Sequence, residues 1–225
     1  MSKSATSKQQ DKRQAAVSSM KQSLILDAAR AIFEADGIEG ASIRAIAKRA
    51  GYTPGAIYFH FSSKEDIYAA LLDQSLDQVV AYVLDDFPAD RAPLERMRIA
   101  GRRIFDFYAD NPGELDLGFY LFRGGMKPHG LGRDRDRDLN AKFLAALAPF
   151  KSALIDYGYP EDEADAETAA FFAHVAGLLL LKQTGRMRLF ATDVDTRIDA
   201  YVDQLEQRAA RDGAVREWTE THGDS

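Results

Sequence analysis

Ala41-Ser42-Ile43-Arg44-Ala45-Ile46-Ala47-Lys48-Arg49-Ala50-Gly51-Tyr52-Thr53-Pro54-Gly55-Ala56-Ile57-Tyr58-Phe59-His60-Phe61 is the stretch on which the fold turns. Ser42 is suited to cap a helix whose apolar face carries Ile43, Ile46, Ala47 and Ala50. Gly51 breaks that helix. Thr53 starts another, with Pro54 at its first position, where a missing N–H costs nothing. Ile57 and Phe61 lie four apart and give the second short helix its buried side. Two short helices across a tight glycine turn have the layout of a helix-turn-helix. Ile46, Ala47 and Ile57 would brace one helix on the other. Pro54, Gly55 and Ala56 would keep the tip small, and Tyr58 and His60 would stand on its flank.

Outward from there, the chain reads as helices. Leu24, Ile25, Ala28, Ala29, Ile32 and Phe33 repeat on one face, and Gly37 suits the left-handed turn that ends a helix. Residues 1–20 are polar, and a disordered basic arm is expected there. Its Lys3, Lys8, Lys12 and Arg13 either are simply solvated or offer non-specific attraction to phosphates. Downstream, Ser63-Lys64-Glu65-Asp66 reads as a variant capping box. It opens a long helix carrying Ile67, Leu71, Leu72, Leu76, Val79, Val80 and Val83. After the break at Phe87-Pro88, helices are expected near 93–110, 114–124, 136–157, 162–188 and 194–211. The alternating run from Arg133 to Asp138 reads as a solvated loop or helix start. No strand alternation or internal repeat is evident. The expected organisation is an arm over 1–20, a helix-turn-helix domain over 21–68, a larger body over 69–212 and a polar tail over 213–225.

Composition narrows the function classes. The 225 residues are 46% hydrophobic and 28% charged, an ordinary globular balance. No cysteine is present, which excludes disulfides and thiolate metal sites and fits a reducing cytoplasm, the expected location. The longest apolar run, Ala169 to Leu181, is interrupted by His174. It is shorter than the roughly 20 residues that span a bilayer, so no membrane partner is expected. Net charge is −6, but residues 1–64 hold ten Lys or Arg against five Asp or Glu, a net +5 that leaves −11 for the rest. Only the N-terminal end is suited to meet an anion. There is no Gly-rich phosphate loop, nucleophile elbow or His-Glu-x-x-His pattern, and the four histidines are scattered. No enzyme activity, metal or cofactor is expected.

Ile57-Tyr58-Phe59-His60-Phe61, followed by Ser63-Lys64-Glu65, closes a pattern over residues 20–72 that resembles the signature of the tetracycline-repressor (TetR) family of bacterial transcriptional regulators. Tyr52 departs from it where a smaller aliphatic is common, and Ser62 where proline is common. The resemblance implies an all-α fold: an N-terminal three-helix helix-turn-helix domain, then a larger C-terminal helical ligand-binding and dimerisation domain. It implies a homodimer that binds a palindromic double-stranded DNA operator and is released by a small-molecule effector. An architectural DNA-binding protein without a ligand is the alternative. By the same resemblance Ser42, Arg44, Thr53, Tyr58, His60 and Lys64 contact DNA, mostly at phosphates. Arg44, Pro54, Gly55, Ala56 and Phe59 are expected to read sequence.

The C-terminal body yields coarser expectations. The helix over 162–188 is apolar almost all round, so burial on more than one side is expected. The helix over 194–211 carries one stripe. With a second copy these two would form a four-helix bundle, its interface made by Ala173, Ala176, Gly177 and Leu180 with Ile198, Tyr201, Val202 and Leu205. An apolar or aromatic effector would sit among Phe105, Tyr108, Phe119, Phe122, Phe143, Phe171 and His174, though ordinary core packing accounts for most of these.

Overall fold

A computed structural model of the chain describes residues 3–119, 131–190 and 192–222. Its regular elements are α1 (Lys3–Gly40), α2 (Ile43–Ala50), α3 (Pro54–Tyr58), α4 (Lys64–Leu84), α5 (Pro93–Asp110), α6 (Pro112–Phe119), α7 (Arg133–Tyr157), α8 (Glu161–Gln183) and α9 (Val194–His222), with a 3-10 turn at Arg186–Phe190. The protein is all-α, with no strand among the described residues.

The chain forms two compact units. One is Met1–Ser75 with Asp116–Asp138; the other is Leu76–Leu115 with Leu139–Ser225. This division differs from a boundary at 68/69 because α4 runs unbroken through that point and because residues after Asp116 return to the first unit. There the hydroxyl of Tyr68, fully buried, donates to the Leu117 carbonyl at 2.7 Å.

In the first unit α1 packs on α2 and α2 on α3. Ile25, Ala28, Ala29, Ile32 and Phe33 of α1 are buried with Ile46, Ala47, Ile57 and Phe61, as their spacing predicts. Leu24 is not; it stays nearly half exposed. Gly37 takes φ +69°, ψ 165°, which interrupts α1 without the left-handed end expected there, and α1 resumes to Gly40. Residues 3–20, expected as a disordered arm, continue α1. That stretch holds no glycine or proline and is rich in Ala, Lys, Gln and Arg, good helix formers that extend cheaply from a packed helix.

In the second unit α5 packs against both α8 and α9. Met97, Ala100, Ile104 and Phe105 of α5 meet Phe171, Val175 and Leu179 of α8 and Ile198 and Val202 of α9 in one core. Phe171 stacks on Phe150 of α7, ring centres 3.9 Å apart. Gly101 marks the closest approach: a Cβ there would lie 2.5 Å from the Phe171 ring. Arg98 and Arg102 of α5 face Asp195, Asp199 and Asp203 of α9, with contacts of 2.5 Å from Arg98 to Asp203 and 2.7 Å from Arg102 to Asp199.

Two expectations are corrected in α8. It stops at Gln183 rather than 188, because the Thr184 and Gly185 N–H groups bond back to Leu180 and Lys182 and Gly185 turns to φ +67°. It is also not buried all round. Ala164, Thr168, Phe171, Val175, Leu178 and Leu179 are buried, while Ala169, Ala170, Ala173, Gly177 and Leu180 are exposed. By length and composition α8 is apolar enough to cross a membrane, contrary to the reading of its apolar run. Its packed face against α5 is that of a core helix. The alternating run forms the first turns of α7, and α9 continues past 211 to His222 where a polar tail is expected.

Candidate nucleic-acid interface

Each turn of the helix-turn-helix is fixed locally. The Ser42 hydroxyl accepts the Ala45 N–H at 3.1 Å and caps α2. Gly51 closes α2 at φ +74°, ψ +26°, a left-handed conformation that costs other residues steric strain, and the Tyr52 N–H bonds to the Ala47 carbonyl at 2.9 Å. The Thr53 hydroxyl accepts the Ala56 N–H at 3.3 Å and caps α3, with Pro54 following. Tyr52, the first departure from the family pattern, is half-buried and leaves this turn intact.

Burial then sorts the side chains. Ile46, Ala47 and Ile57 have no accessible surface and anchor the two helices. Ser42, Arg44, Thr53, Pro54 and Gly55 are exposed, and Ala56, His60 and Lys64 are half-buried. Tyr58 is 57% and Phe59 83% exposed, high values for aromatic rings. The Phe59 ring meets His60 edge-on, centres 5.1 Å apart. Hydroxyls, cations and two bare aromatics therefore share the surface of α2, α3 and the start of α4 while the aliphatic side chains point inward.

The start of α4 holds a feature the sequence only half discloses. The Ser63 hydroxyl accepts the Asp66 N–H at 3.2 Å, as a capping box requires. The Asp66 carboxylate accepts in turn from the Ser62 N–H at 2.8 Å and from the Ser62 hydroxyl. It also accepts from the guanidinium of Arg135, 69 residues away. Burial raises the Asp66 pKa, but the Ser62 and Arg135 hydrogen bonds outweigh it, so the carboxyl sits below the ordinary carboxylate range. Ser62, the second departure from the family pattern, supplies two of these donors; a proline would supply neither.

The C-terminal candidate residues divide between core and surface. Phe105 and Phe171 are core, the Lys182 ammonium lies 5.1 Å over the Phe105 ring, and Tyr108 is buried against Phe107. Phe143 is half-buried and packs edge-on to Phe172. His174 stands apart, 3.3 Å from the Arg197 carbonyl and beside the Tyr201 ring. Phe122 and the Phe119 side chain lie outside the described residues. Among the described residues an open groove of about 570 Å³ is lined by Leu178, Leu181, Met187, Phe190, Thr192, Asp193, Thr196 and Arg197, none of them an expected pocket residue. Of the expected dimer face, Ala173, Gly177 and Leu180 are exposed and Ala176 and Tyr201 half-buried. Ile198, Val202 and Leu205 must be withdrawn from it. They are fully buried within their own chain, because the α9 stripe is consumed by packing inside the unit.

The first unit has the geometry of a helix-turn-helix DNA-binding domain. Residues 25–71 match the family model described as bacterial regulatory proteins, tetR family. Over that stretch the chain is similar to the DNA-binding domain of TetR-family regulators. It is 35% identical over 111 residues to the A-factor receptor protein of Streptomyces griseus, covering 47% of this chain and 38% of that protein. Over 57 residues it is 42% identical to the transcriptional regulator UidR of Escherichia coli K12, covering 25% of this chain and 29% of UidR. The chain thus spans 38% of the first relative's length and 29% of the second's. A solved transcriptional regulator from Rhodococcus sp. Rha1 shares the fold at TM-score 0.62 and 21% identity, covering 83% of this chain and 96% of that one.

Proposed function

We propose that the chain is a DNA-binding transcriptional regulator, acting in the cytoplasm as a homodimer on a palindromic operator and released from it by an apolar or aromatic small molecule. The observation that carries this reading is the sorting around α3: Ile57 locked inside, Tyr58 and Phe59 standing in solvent, and two capped helix starts bearing exposed hydroxyls beside them. In a major groove wide enough for one helix, this arrangement offers phosphate donors at the edges and an aromatic and small-residue tip at the bases.

Dimerisation is supported by the α8 face of Ala169, Ala173, Gly177 and Leu180, whose small residues allow a second helix close approach. Release by an effector rests on the aromatic-rich second unit. A near-complete shift between binding and non-binding states needs a differential affinity of roughly 5 kcal/mol. The test is selection of bound duplexes from random-sequence DNA, combined with sedimentation. A short palindrome bound by a dimer is expected. Uniform binding to every sequence would instead favour an architectural DNA-binding protein, and no DNA binding at low salt would overturn the reading.

A further inference from the structure

The alternating run at the start of α7 has a use beyond solvation. Arg137 is taken up within the run, 3.4 Å from Asp134 and 3.6 Å from Asp138. The Asp136 carboxylate accepts the Leu131 N–H at 3.0 Å and secures the turn that enters the helix. Arg135 instead reaches out of the run to Asp66. Asp66 is the third residue of α4, two positions after Lys64, and its side chain is only 14% exposed while that of Arg135 is 51% exposed. A carboxylate so enclosed needs its donors, and it has three: two from Ser62 and one from Arg135.

We propose that Arg135 is a positioning residue of the DNA-binding end. Its guanidinium holds the Asp66 carboxylate, which in turn fixes the Ser62-Ser63 turn and hence the start of α4 from which Lys64 reaches a phosphate. The inference rests on the DNA-binding reading above. It adds that a residue of α7, far outside the helix-turn-helix in sequence, sets the affinity of that site. Without its cation, Asp66 keeps its charge but loses an anchor, and the Ser62-Ser63 turn samples geometries in which Lys64 misses its partner. The number of phosphates met in the bound state does not change, so the loss appears in affinity and not in salt dependence.

The experiment compares full-length wild type with Arg135→Gln, Arg135→Lys, Asp66→Asn, Lys64→Ala and the double variant Arg135→Gln/Asp66→Asn, binding a mixed-sequence duplex of about three helical turns across a salt series. Because Arg135 is half exposed, its replacement opens no core cavity, and unchanged far-ultraviolet dichroism is expected. Arg135→Gln should weaken binding about fivefold with the salt slope of wild type, whereas Lys64→Ala should lower the slope by about one. Arg135→Lys should recover most of the loss. The double variant should be no weaker than Asp66→Asn alone, because the two residues act through one contact. Wild-type affinity in Arg135→Gln overturns the proposal. So does a slope lowered by one, which would make Arg135 itself a phosphate contact, or a lysine variant as weak as the glutamine one. If wild type does not bind the duplex even at low salt, the DNA-binding reading fails first.

Discussion

At Gly101 the backbone of α5 comes so near the Phe171 ring that one added carbon would lie 2.5 Å from it. The Phe171 ring has little room to move, since Phe150 is stacked on it at 3.9 Å. Gly101→Ala is therefore expected to destabilise the protein by about 1–3 kcal/mol through overpacking, read as a lower urea midpoint with an unchanged slope. Tyr108 gives a pH signature at the same scale. Burial, with a smaller contribution from the Glu114 carboxylate, pushes its pKa up to about 12. A phenol held protonated by the fold contributes stability that is complete below the free value near 10 and is lost as pH rises toward 12. Stability should fall across that window, and Tyr108→Phe should flatten the fall. A titration in which the variant loses stability as steeply as wild type would refute this. Ser42→Ala tests the cap: loss of the bond to Ala45 should cost about 0.5–2 kcal/mol of stability and weaken DNA binding as well. Individual residues were legible in sequence where a local rule governs them. Ser42, Thr53, Gly51, Ile57 and Phe61 each follow from capping, turn chemistry or spacing. The Arg135–Asp66 pair follows from none of these, because nothing local ties residues 69 positions apart.

Among elements, the instructive pair is α8 and α9. Each shows an apolar pattern, and periodicity says that such a face will be covered but not by what. The α9 stripe of Ile198, Val202 and Leu205 meets the reading for a subunit interface equally well, yet it is fully buried inside its own chain. The α8 sequence is apolar almost all round because Ala and Gly count as apolar whether buried or not, and Ala169, Ala170, Ala173 and Gly177 face solvent here. Packing and charge can be weighed along the α5–α9 seam. The Arg98 and Arg102 pairs with Asp199 and Asp203 are partly exposed, with side-chain exposures from 29% to 52%, so each is worth at most about 1 kcal/mol. Leu205 is wholly buried, and its truncation to alanine should cost about 2–5 kcal/mol. Urea unfolding of Arg102→Ala and Leu205→Ala should separate by at least a factor of two; equal losses would mean that the ion pairs, not the core, hold α9 in place.

For the whole molecule, one question joins the two units: which surface a second copy would cover. With the α9 stripe consumed internally, an exposed apolar strip among the described residues is Ala169, Ala173, Gly177 and Leu180 on α8, with Leu180 62% exposed. A twofold interface uses the same patch on both copies, residue i meeting residue j and j meeting i, so one substitution acts twice. Ala173→Glu would bury one carboxylate from each copy in that contact, where neither is solvated. Ala173 is exposed in the single chain, so the variant should fold with wild-type thermal stability extrapolated to the monomer. It should sediment as a monomer at concentrations where the proposed wild-type dimer forms. A protein that reads two half-sites at once gains through effective concentration, commonly 10²–10⁴-fold. Binding of the variant to a palindromic site should therefore fall by about that factor, while binding to an isolated half-site stays as in wild type. An Ala173→Glu protein that remains dimeric and keeps its palindrome affinity would move the interface away from α8, leaving the exposed small-residue strip without a role.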